Sequence, residues 1–209
     1  MKALACTLLA GLAMVWPSAV VALDITFDDV ISVDNPTVTM LDTHGYRFAG
    51  SFRTIDAPGV TLASNASAVY LGQEASGPGI TVTRADGGPF ILYAFDAAGL
   101  HVPSSTGSPN AQQVSLAGLR IGGGLLSATY GLSGLPGFAH ISVPSSWNDL
   151  QAVTFTGLLS AATPGAFAID DVGVGEGPTN VAEPRTLALA AITALGACAV
   201  GLLRHRRDS

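Results

Sequence analysis

The chain has 209 residues, 11% of them charged, and a formal net charge of −6. Between residues 23 and 181, thirteen acidic residues face four arginines and no lysine, so this part carries a net charge of −9. Such a surface excludes nucleic acid as a partner, because phosphate binding needs clustered lysine or arginine. Both cysteines, Cys6 and Cys198, lie outside this part, which excludes a disulfide framework and a thiol nucleophile.

The N-terminus has the three parts of a secretory signal peptide. Lys2 provides the positive start, Ala3–Val15 forms the apolar middle, and Val20-Val21-Ala22 supplies small residues at the cleavage region. We therefore predict that residues 1–22 are a signal peptide for export by the Sec route and that the mature chain begins at Leu23.

Residues 23–174 have almost no helical periodicity. Short β-rich runs recur instead, separated by turn signals such as Asp34-Asn35-Pro36 and Asp86-Gly87-Gly88-Pro89. Their number and spacing predict an all-β ectodomain, a β-sandwich or jelly roll of about ten to eleven strands. In chain order, the runs are Leu23–Val30, Thr37–Leu41, Gly45–Phe52, Ala68–Leu71, Ile80–Arg84, Phe90–Phe95, Gln112–Ile121, Leu125–Leu132, Phe138–Val143, Leu150–Thr156 and Ala166–Val174.

A membrane-targeting pattern follows a short linker, residues 175–182. Glu183-Pro184 forms a polar hinge, residues 186–203 are an uninterrupted apolar run of 18 residues, and residues 204–207 are a basic end. A run of this length is near the lower limit for a helix that crosses about 30 Å of hydrocarbon. We therefore predict one C-terminal transmembrane helix with its arginines on the cytoplasmic side.

The hinge, the apolar run and the basic end together resemble the PEP-CTERM sorting signal of Gram-negative bacteria. In the family motif a proline stands where this chain has Ala182. The resemblance implies that the protein is held transiently in the inner membrane and then released to the cell surface by exosortase, a membrane protease-transferase. Our leading hypothesis is an exported, non-enzymatic surface or extracellular-matrix protein. The matching residues are Glu183, Pro184, Arg204, Arg206 and Arg207.

Two stretches of the ectodomain carry a second resemblance. Residues 79–99 read as a strand, a Gly-rich turn and a strand ending in Phe-Asp, and residues 167–172 end in Ile-Asp-Asp-Val. These patterns are similar to PEP-CTERM ectodomains and to jelly-roll, galactose-binding-like carbohydrate-binding modules. This resemblance implies the alternative function, a lectin-like module that binds exopolysaccharide.

Two pairs of acidic residues, Asp28-Asp29 and Asp170-Asp171, lie in the first and last predicted strands. These strands are usually neighbours in a jelly roll, so one hypothesis is that the four carboxylates converge. Hard oxygen ligands suit Ca²⁺, and the resemblance implies a structural Ca²⁺ held most directly by Asp170. The alternative is that one Asp of each pair caps a turn while the other faces solvent.

Exposed aromatic rings are the usual platforms for the C–H faces of sugars. Trp147, next to Pro144-Ser145-Ser146, is the aromatic residue that we most expect to be exposed and to bind ligand. The alternative for each aromatic residue is packing in the core or at a sheet edge. The remaining candidates are the tyrosines Tyr46, Tyr70, Tyr93 and Tyr130.

A third hypothesis, an extracellular hydrolase, is the least favoured. The histidines between residues 23 and 181 follow no metal-ligand spacing, and no Gly-x-Ser-x-Gly elbow occurs. Paired catalytic carboxylates stay open, because their separation depends on the fold. We therefore assign no catalytic residue and expect the histidines at the surface or at sheet edges: His44, His101 and His140.

Overall fold

The computed structural model describes residues 22–30, 37–56, 67–99, 109–132, 137–160 and 163–177, and in these ranges the protein is all-β. No helix in the described ranges is long and apolar enough to span a membrane. The predicted transmembrane helix, the sorting motif and residues 1–21 of the predicted signal peptide lie outside them.

Twelve strands form the described part of the chain, and each of the eleven predicted runs overlaps one of them. The first run is shorter than predicted, because the chain turns after Ile25, and this places Asp28 and Asp29 in a turn instead of a strand. In chain order, the strands are β1 Ala22–Ile25, β2 Val38–Thr43, β3 Tyr46–Asp56, β4 Val69–Gln73, β5 Ile80–Arg84, β6 Phe90–Gly99, β7 Gln113–Arg120, β8 Leu125–Gly131, β9 Ala139–Ser142, β10 Leu150–Ser160, β11 Thr163–Pro164 and β12 Phe167–Glu176.

The strands pair into one sheet that folds back on itself. One half, called here the front sheet, runs β8-β7-β10-β5-β3, with β2 on the far side of β3. The other half, called here the back sheet, runs β4-β12-β6-β9, with β1 beside β12. A bridge between Leu150 of β10 and Phe90 of β6 joins the two halves at one corner.

The long strand β3 joins the two sheets at the opposite corner. Its first part pairs with β5, where Ala49 lies opposite Thr81, and its last part pairs with β4, where Arg53 lies opposite Gly72. The change of partner occurs around Gly50, where a β-carbon would lie 2.4 Å from the carbonyl oxygen of Gly79. Only glycine therefore allows the two backbones to approach this closely.

Large side chains from both sheets enclose one core. Alternate residues of β10, such as Val153 and Phe155, point inward and are fully buried. Phe155 meets Phe95 of β6 edge to face at 5.0 Å between ring centroids, a geometry that aromatic pairs prefer. The alternation of apolar and polar residues along the front strands follows from having one buried and one solvent face.

Strand β12 differs, because it is buried on both faces. Phe167, Ile169 and Val172 face the main core, whereas Ala168 belongs to a second, smaller cluster with Tyr70 on the outer side of the back sheet. This double burial explains why the run that contains β12 is apolar almost throughout.

Strand β1 pairs with the last strand, as expected for a jelly roll, with Leu23 opposite Val174 and Ile25 opposite Val172. The start and the end of the described chain therefore lie at one end of the domain. Strand β12 continues to Glu176, so the predicted linker 175–182 is wrong at its start, since Gly175 and Glu176 are still paired within the sheet.

Candidate functional site

Both acidic residues after β1, Asp28 and Asp29, contact other residues of the domain. Asp28 Oδ1 accepts hydrogen bonds from the Ser67 hydroxyl at 2.7 Å and from the backbone N–H groups of Ala68 at 2.6 Å and Val69 at 3.3 Å. These donors, the Ser67 hydroxyl foremost, lower the pKa of Asp28. Asp29 instead lies 3.9 Å from His44 Nε2. Asp28 is thus a cap for the start of β4.

The second acidic pair lies in β12, as predicted. Asp170 is fully buried, and its Oδ1 accepts a hydrogen bond from the Asp171 N–H at 2.9 Å. Asp171 has φ 44° at a bulge in the pairing with β6. Burial raises the pKa of Asp171, and the nearby carboxylates of Asp96 and Asp28 raise it further. Ionised Asp171 therefore costs stability at neutral pH.

The four predicted Ca²⁺ ligands do not form the expected ligand set. Asp28 is near enough to Asp171 to affect its pKa, but Asp29 points toward His44. In the described ranges, no group of three or more His, Cys, Asp or Glu side chains is placed to hold a metal ion. Oδ1 of Asp28 is occupied by three donors, which matches the alternative prediction that one Asp of this pair caps a turn.

A polar row on the outer side of the back sheet was missed in the sequence. His140 Nδ1 lies 2.8 Å from Asp96 Oδ1, and Asp96 is the cross-strand neighbour of Asp170. Among the described residues the buried Tyr70 hydroxyl has no hydrogen-bond partner, and burial, with a smaller effect of Asp170, raises its pKa to about 12. Alternation within β6 and within β12 predicts which residues of each strand share a face. It does not predict that β6 pairs with β12, and this pairing places Asp96 beside Asp170.

Trp147 is buried, with 3% of its surface exposed. Its ring packs where a β-carbon on Gly118 would come within 2.9 Å of it, so the expectation of an exposed stacking surface is wrong. Tyr46 and Tyr70 are also buried, and Tyr93 and Tyr130 are half-buried. The structure supports the alternative prediction, in which these aromatic residues pack in the core or at a sheet edge.

A concave surface with converging charged groups lies where the start of β1 and the end of β12 meet the β2–β3 hairpin. We call it the end cleft; it has a volume of about 490 Å³ and is lined chiefly by Leu23, His44, Tyr46, Arg84, Asp86 and Glu176. One wall is the β2–β3 hairpin turn, in which His44 has φ 50° and Gly45 has φ 80°. Two consecutive positive φ values are typical of the type I′ turn, whose twist matches the flanking strands.

Arg84 organises the polar side of the end cleft. Its Nε and Nη2 donate to the two oxygens of Asp86 at 3.0 and 2.5 Å, its Nη1 donates to the Pro89 carbonyl at 3.2 Å, and its Nη2 lies 3.7 Å from Glu176 Oε1. The Gly88 N–H donates to Asp86 as well, and this bond together with Arg84 lowers the pKa of Asp86. Asp86 is therefore structural, whereas Glu176 is the less constrained carboxylate.

The floor of the end cleft is apolar. Tyr46 is buried and packs edge to face on Phe90 at 5.8 Å, and burial raises the pKa of its phenol. A cleft with an apolar floor and a few charged groups at its rim is the usual form of a small-molecule site, and its volume lies within the usual range of about 300–1,000 Å³. Sequence reasoning missed it; the signal available was Arg84, one of only four cations between residues 23 and 181.

A second, smaller cleft of about 140 Å³ lies on the side of the domain, at Arg53 and Glu74. Arg53 Nη2 donates to Glu74 Oε1 at 2.9 Å. This ion pair occupies the two charged groups of the lining, and the volume lies below the usual range of about 300–1,000 Å³ for small-molecule sites.

Comparison with known protein families gives no matching family model, and no curated protein matches. Several solved structures match this chain, each with a low sequence identity and a low TM-score. The tandem family 22 carbohydrate-binding modules of Paenibacillus barcinonensis Xyn10C are 14% identical, with a TM-score of 0.38 over 74% of this chain. The C-terminal family 22 carbohydrate-binding module of Clostridium thermocellum Xyn10B is 12% identical, with a TM-score of 0.37 over 76% of this chain.

An arabinose-bound α-L-arabinofuranosidase, MgGH51, is 13% identical, with a TM-score of 0.41 over 73% of this chain. The chain spans 49% of the tandem-module protein, 94% of the single module and 26% of the arabinofuranosidase. Identities and TM-scores this low do not establish a family.

Proposed function

We propose that the protein is a non-enzymatic surface protein, delivered by exosortase, whose jelly-roll ectodomain binds a carbohydrate, such as an exopolysaccharide, in the end cleft. The observation that carries the binding part is the combination of an apolar floor, Leu23 and Tyr46, with a rim of three charged side chains, Arg84, Asp86 and Glu176.

The two sides of a sugar ring match the two parts of the end cleft. A pyranose has apolar C–H faces, which pack on apolar and aromatic surface, and equatorial hydroxyls, which need partners once they leave water. Glu176 accepts hydrogen bonds from hydroxyls, and the imidazole of His44 either donates or accepts. Because Arg84 already holds Asp86, its remaining role is to keep the rim in place.

Replacing Glu176 by glutamine tests the binding site. A charged acceptor in a ligand hydrogen bond is worth about 1.5–3 kcal/mol, so we expect the dissociation constant for a bound glycan to rise at least about tenfold. The measurement is a glycan array with the full-length chain in detergent, followed by titration of the best ligand.

The matched control is Glu74→Gln, which makes the same change in the side cleft and should leave the affinity unchanged. An array without any bound glycan would refute carbohydrate binding. An equal loss of affinity in both variants would refute the end cleft as its site.

The delivery part of the proposal is supported by where the described domain begins and ends. Strand β1 starts at Ala22, at the predicted cleavage region, and β12 ends at Glu176, before the sorting motif. Apart from Ala22, the last residue of the predicted signal peptide, the strands of the domain lie between the two targeting segments.

Delivery is tested on the C-terminus of the protein. We expect mass spectrometry to find the chain shortened near Glu183-Pro184 in wild-type cells and intact, in the inner membrane, in an exosortase-null strain. An intact C-terminus in both strains would refute sorting by exosortase, without bearing on the glycan measurement.

A further inference from the structure

The edges of the sheet differ in how they are protected. A strand at an edge presents unpaired N–H and C=O groups to any other chain, and natural proteins shield such strands by shortness, charge, proline or bulges. In the described ranges, strands longer than two residues that pair on one side only are β1, β2, β8 and β9. Three of these four strands carry a shielding device.

Strands β1 and β9 have four residues each, and they carry Asp24 and His140. Strand β2 is interrupted by an irregularity between Val38 and Met40, and its Asp42 is held in an ion pair by Arg47. Each of these edges is therefore short, charged or bent, as expected for an edge that avoids other chains.

Strand β8 has none of these devices. Its seven residues, Leu125–Gly131, contain no charge and no proline, and its pairing with β7 continues without an irregularity. No Asp, Glu, Lys, Arg or His occurs from Ile121 to Ala139. At one end of β8, Leu125 is 83% exposed beside Leu119, which is 38% exposed. An edge of this kind favours pairing with another strand.

Two hydrogen bonds show which backbone groups of β8 bond to β7 and which point away from it. The Arg120 N–H donates to the Gly124 carbonyl at 3.1 Å, and the Leu132 N–H donates to the Gln112 carbonyl at 2.8 Å. In an antiparallel ladder the bonded residues alternate, so the even-numbered residues of β8 bond to β7. The odd-numbered residues turn their N–H and C=O groups away from β7, and all of them are exposed: Leu125, Ser127, Thr129 and Gly131.

We propose that β8 pairs antiparallel with β8 of a second copy of this chain, about a two-fold axis at Ala128. In this register Ser127 lies opposite Thr129 of the other copy, and Leu125 lies opposite Gly131. Every free N–H and C=O group of the edge then has a partner. The two front sheets join into one continuous sheet.

The side chains of β8 suit this register. Paired residues of an antiparallel ladder point to the same face, so Leu126 of one copy meets Tyr130 of the other. Both are half-buried and already pack against the core, and pairing covers their remaining exposed surface. On the opposite face the small hydroxyl side chains of Ser127 and Thr129 meet without a clash. A symmetric interface of this type closes on itself as a dimer.

Charge favours a second copy at this edge over other parts of the surface. A net charge of −9 between residues 23 and 181 makes most approaches of two copies repulsive. The β8 edge is uncharged along its whole length, so two copies meet there with the least repulsion. A strongly charged partner would find no complementary group on it.

Replacing Thr129 by proline tests the dimer in the full-length chain. Proline removes an N–H group that faces away from β7, so the pairing of β8 with β7 is kept. We expect sedimentation velocity in detergent to show a dimer for the wild-type chain and at least about a tenfold higher dissociation constant for the variant. A wild-type monomer at every concentration, or a variant that dimerises as well as the wild type, overturns the proposal.

A second pair of variants decides the matter if Thr129→Pro does not fold. Ser127→Lys places a charge on the exposed edge and should weaken the dimer, whereas Gln151→Lys places the same charge at an exposed position of β10 and should not. Equal effects of the two lysines would contradict an interface at β8.

Cross-linking tests the register itself. In a Cys198→Ser background, Ala128→Cys should form a disulfide between two copies on mild oxidation, because the axis places the two residues 128 opposite each other. Ala117→Cys, on the neighbouring strand β7, should not. Absence of the disulfide at residue 128, or equal yields at both positions, overturns the pairing about Ala128.

Discussion

Replacing Phe155 by alanine is expected to lower the free energy of unfolding by about 3–5 kcal/mol. Phe155 is fully buried in β10, between β5 and β7, and its ring meets Phe95 edge to face. The loss combines the transfer free energy of the ring with the cavity that rigid neighbouring strands leave unfilled. It is a large share of the roughly 5–15 kcal/mol that holds a domain folded.

Urea-induced unfolding measures this loss, and the fluorescence of the buried Trp147 reports on the core. The control is Met40→Ala, which shortens an apolar side chain that is 55% exposed on the edge strand β2 and should change stability by less than about 1 kcal/mol. A loss below about 1 kcal/mol for Phe155→Ala would show that β10 is not at the centre of the core.

Replacing Gly50 by alanine is expected to destabilise the domain by about 2–3 kcal/mol, since it overpacks a close contact. The new β-carbon would meet the backbone carbonyl of Gly79 at 2.4 Å. Because the obstacle is backbone at the start of β5, it moves only if β3 and β5 separate at the corner between the sheets.

The matched control is Gly131→Ala, at a strand glycine where a β-carbon meets nothing within 4 Å. Thermal unfolding of both variants should show a clear drop in Tm for Gly50→Ala and little change for Gly131→Ala. Equal Tm values in the two variants would mean that β3 does not pass tightly against residue 79.

The strands were predictable because local chemistry determines them. Turn residues such as those at Asp86-Gly87-Gly88-Pro89 bound the runs, and alternation within each run identifies the buried face. Strand β11 was missed because two residues carry no periodicity. The extension of β3 beyond Phe52 was missed because its last residues, up to Asp56, are held by β4, whose position in space is not a property of either run.

The site was harder to predict, because it depends on contacts between residues far apart in the sequence. Asp28 caps the start of β4 some forty residues later, so its Oδ1 already accepts hydrogen bonds there. Trp147 looked exposed from its polar neighbours, yet the missing side chain of Gly118 on another strand makes room for its ring. Glu176 and Arg84 meet only because β12 and β5 end at the same side of the domain.

The pairing of β1 with β12 sets the order in which the domain can fold. Ala22 and Leu23, in the first described strand, find their partners Gly175 and Val174 only after the rest of the domain has been synthesised. Strand pairing over so long a separation in sequence is slow, because loop closure must precede the contacts. Until β12 has been synthesised, Leu23 and Ile25 therefore lack the strand with which they pair, and at this stage a chaperone or another unpaired strand competes with correct pairing.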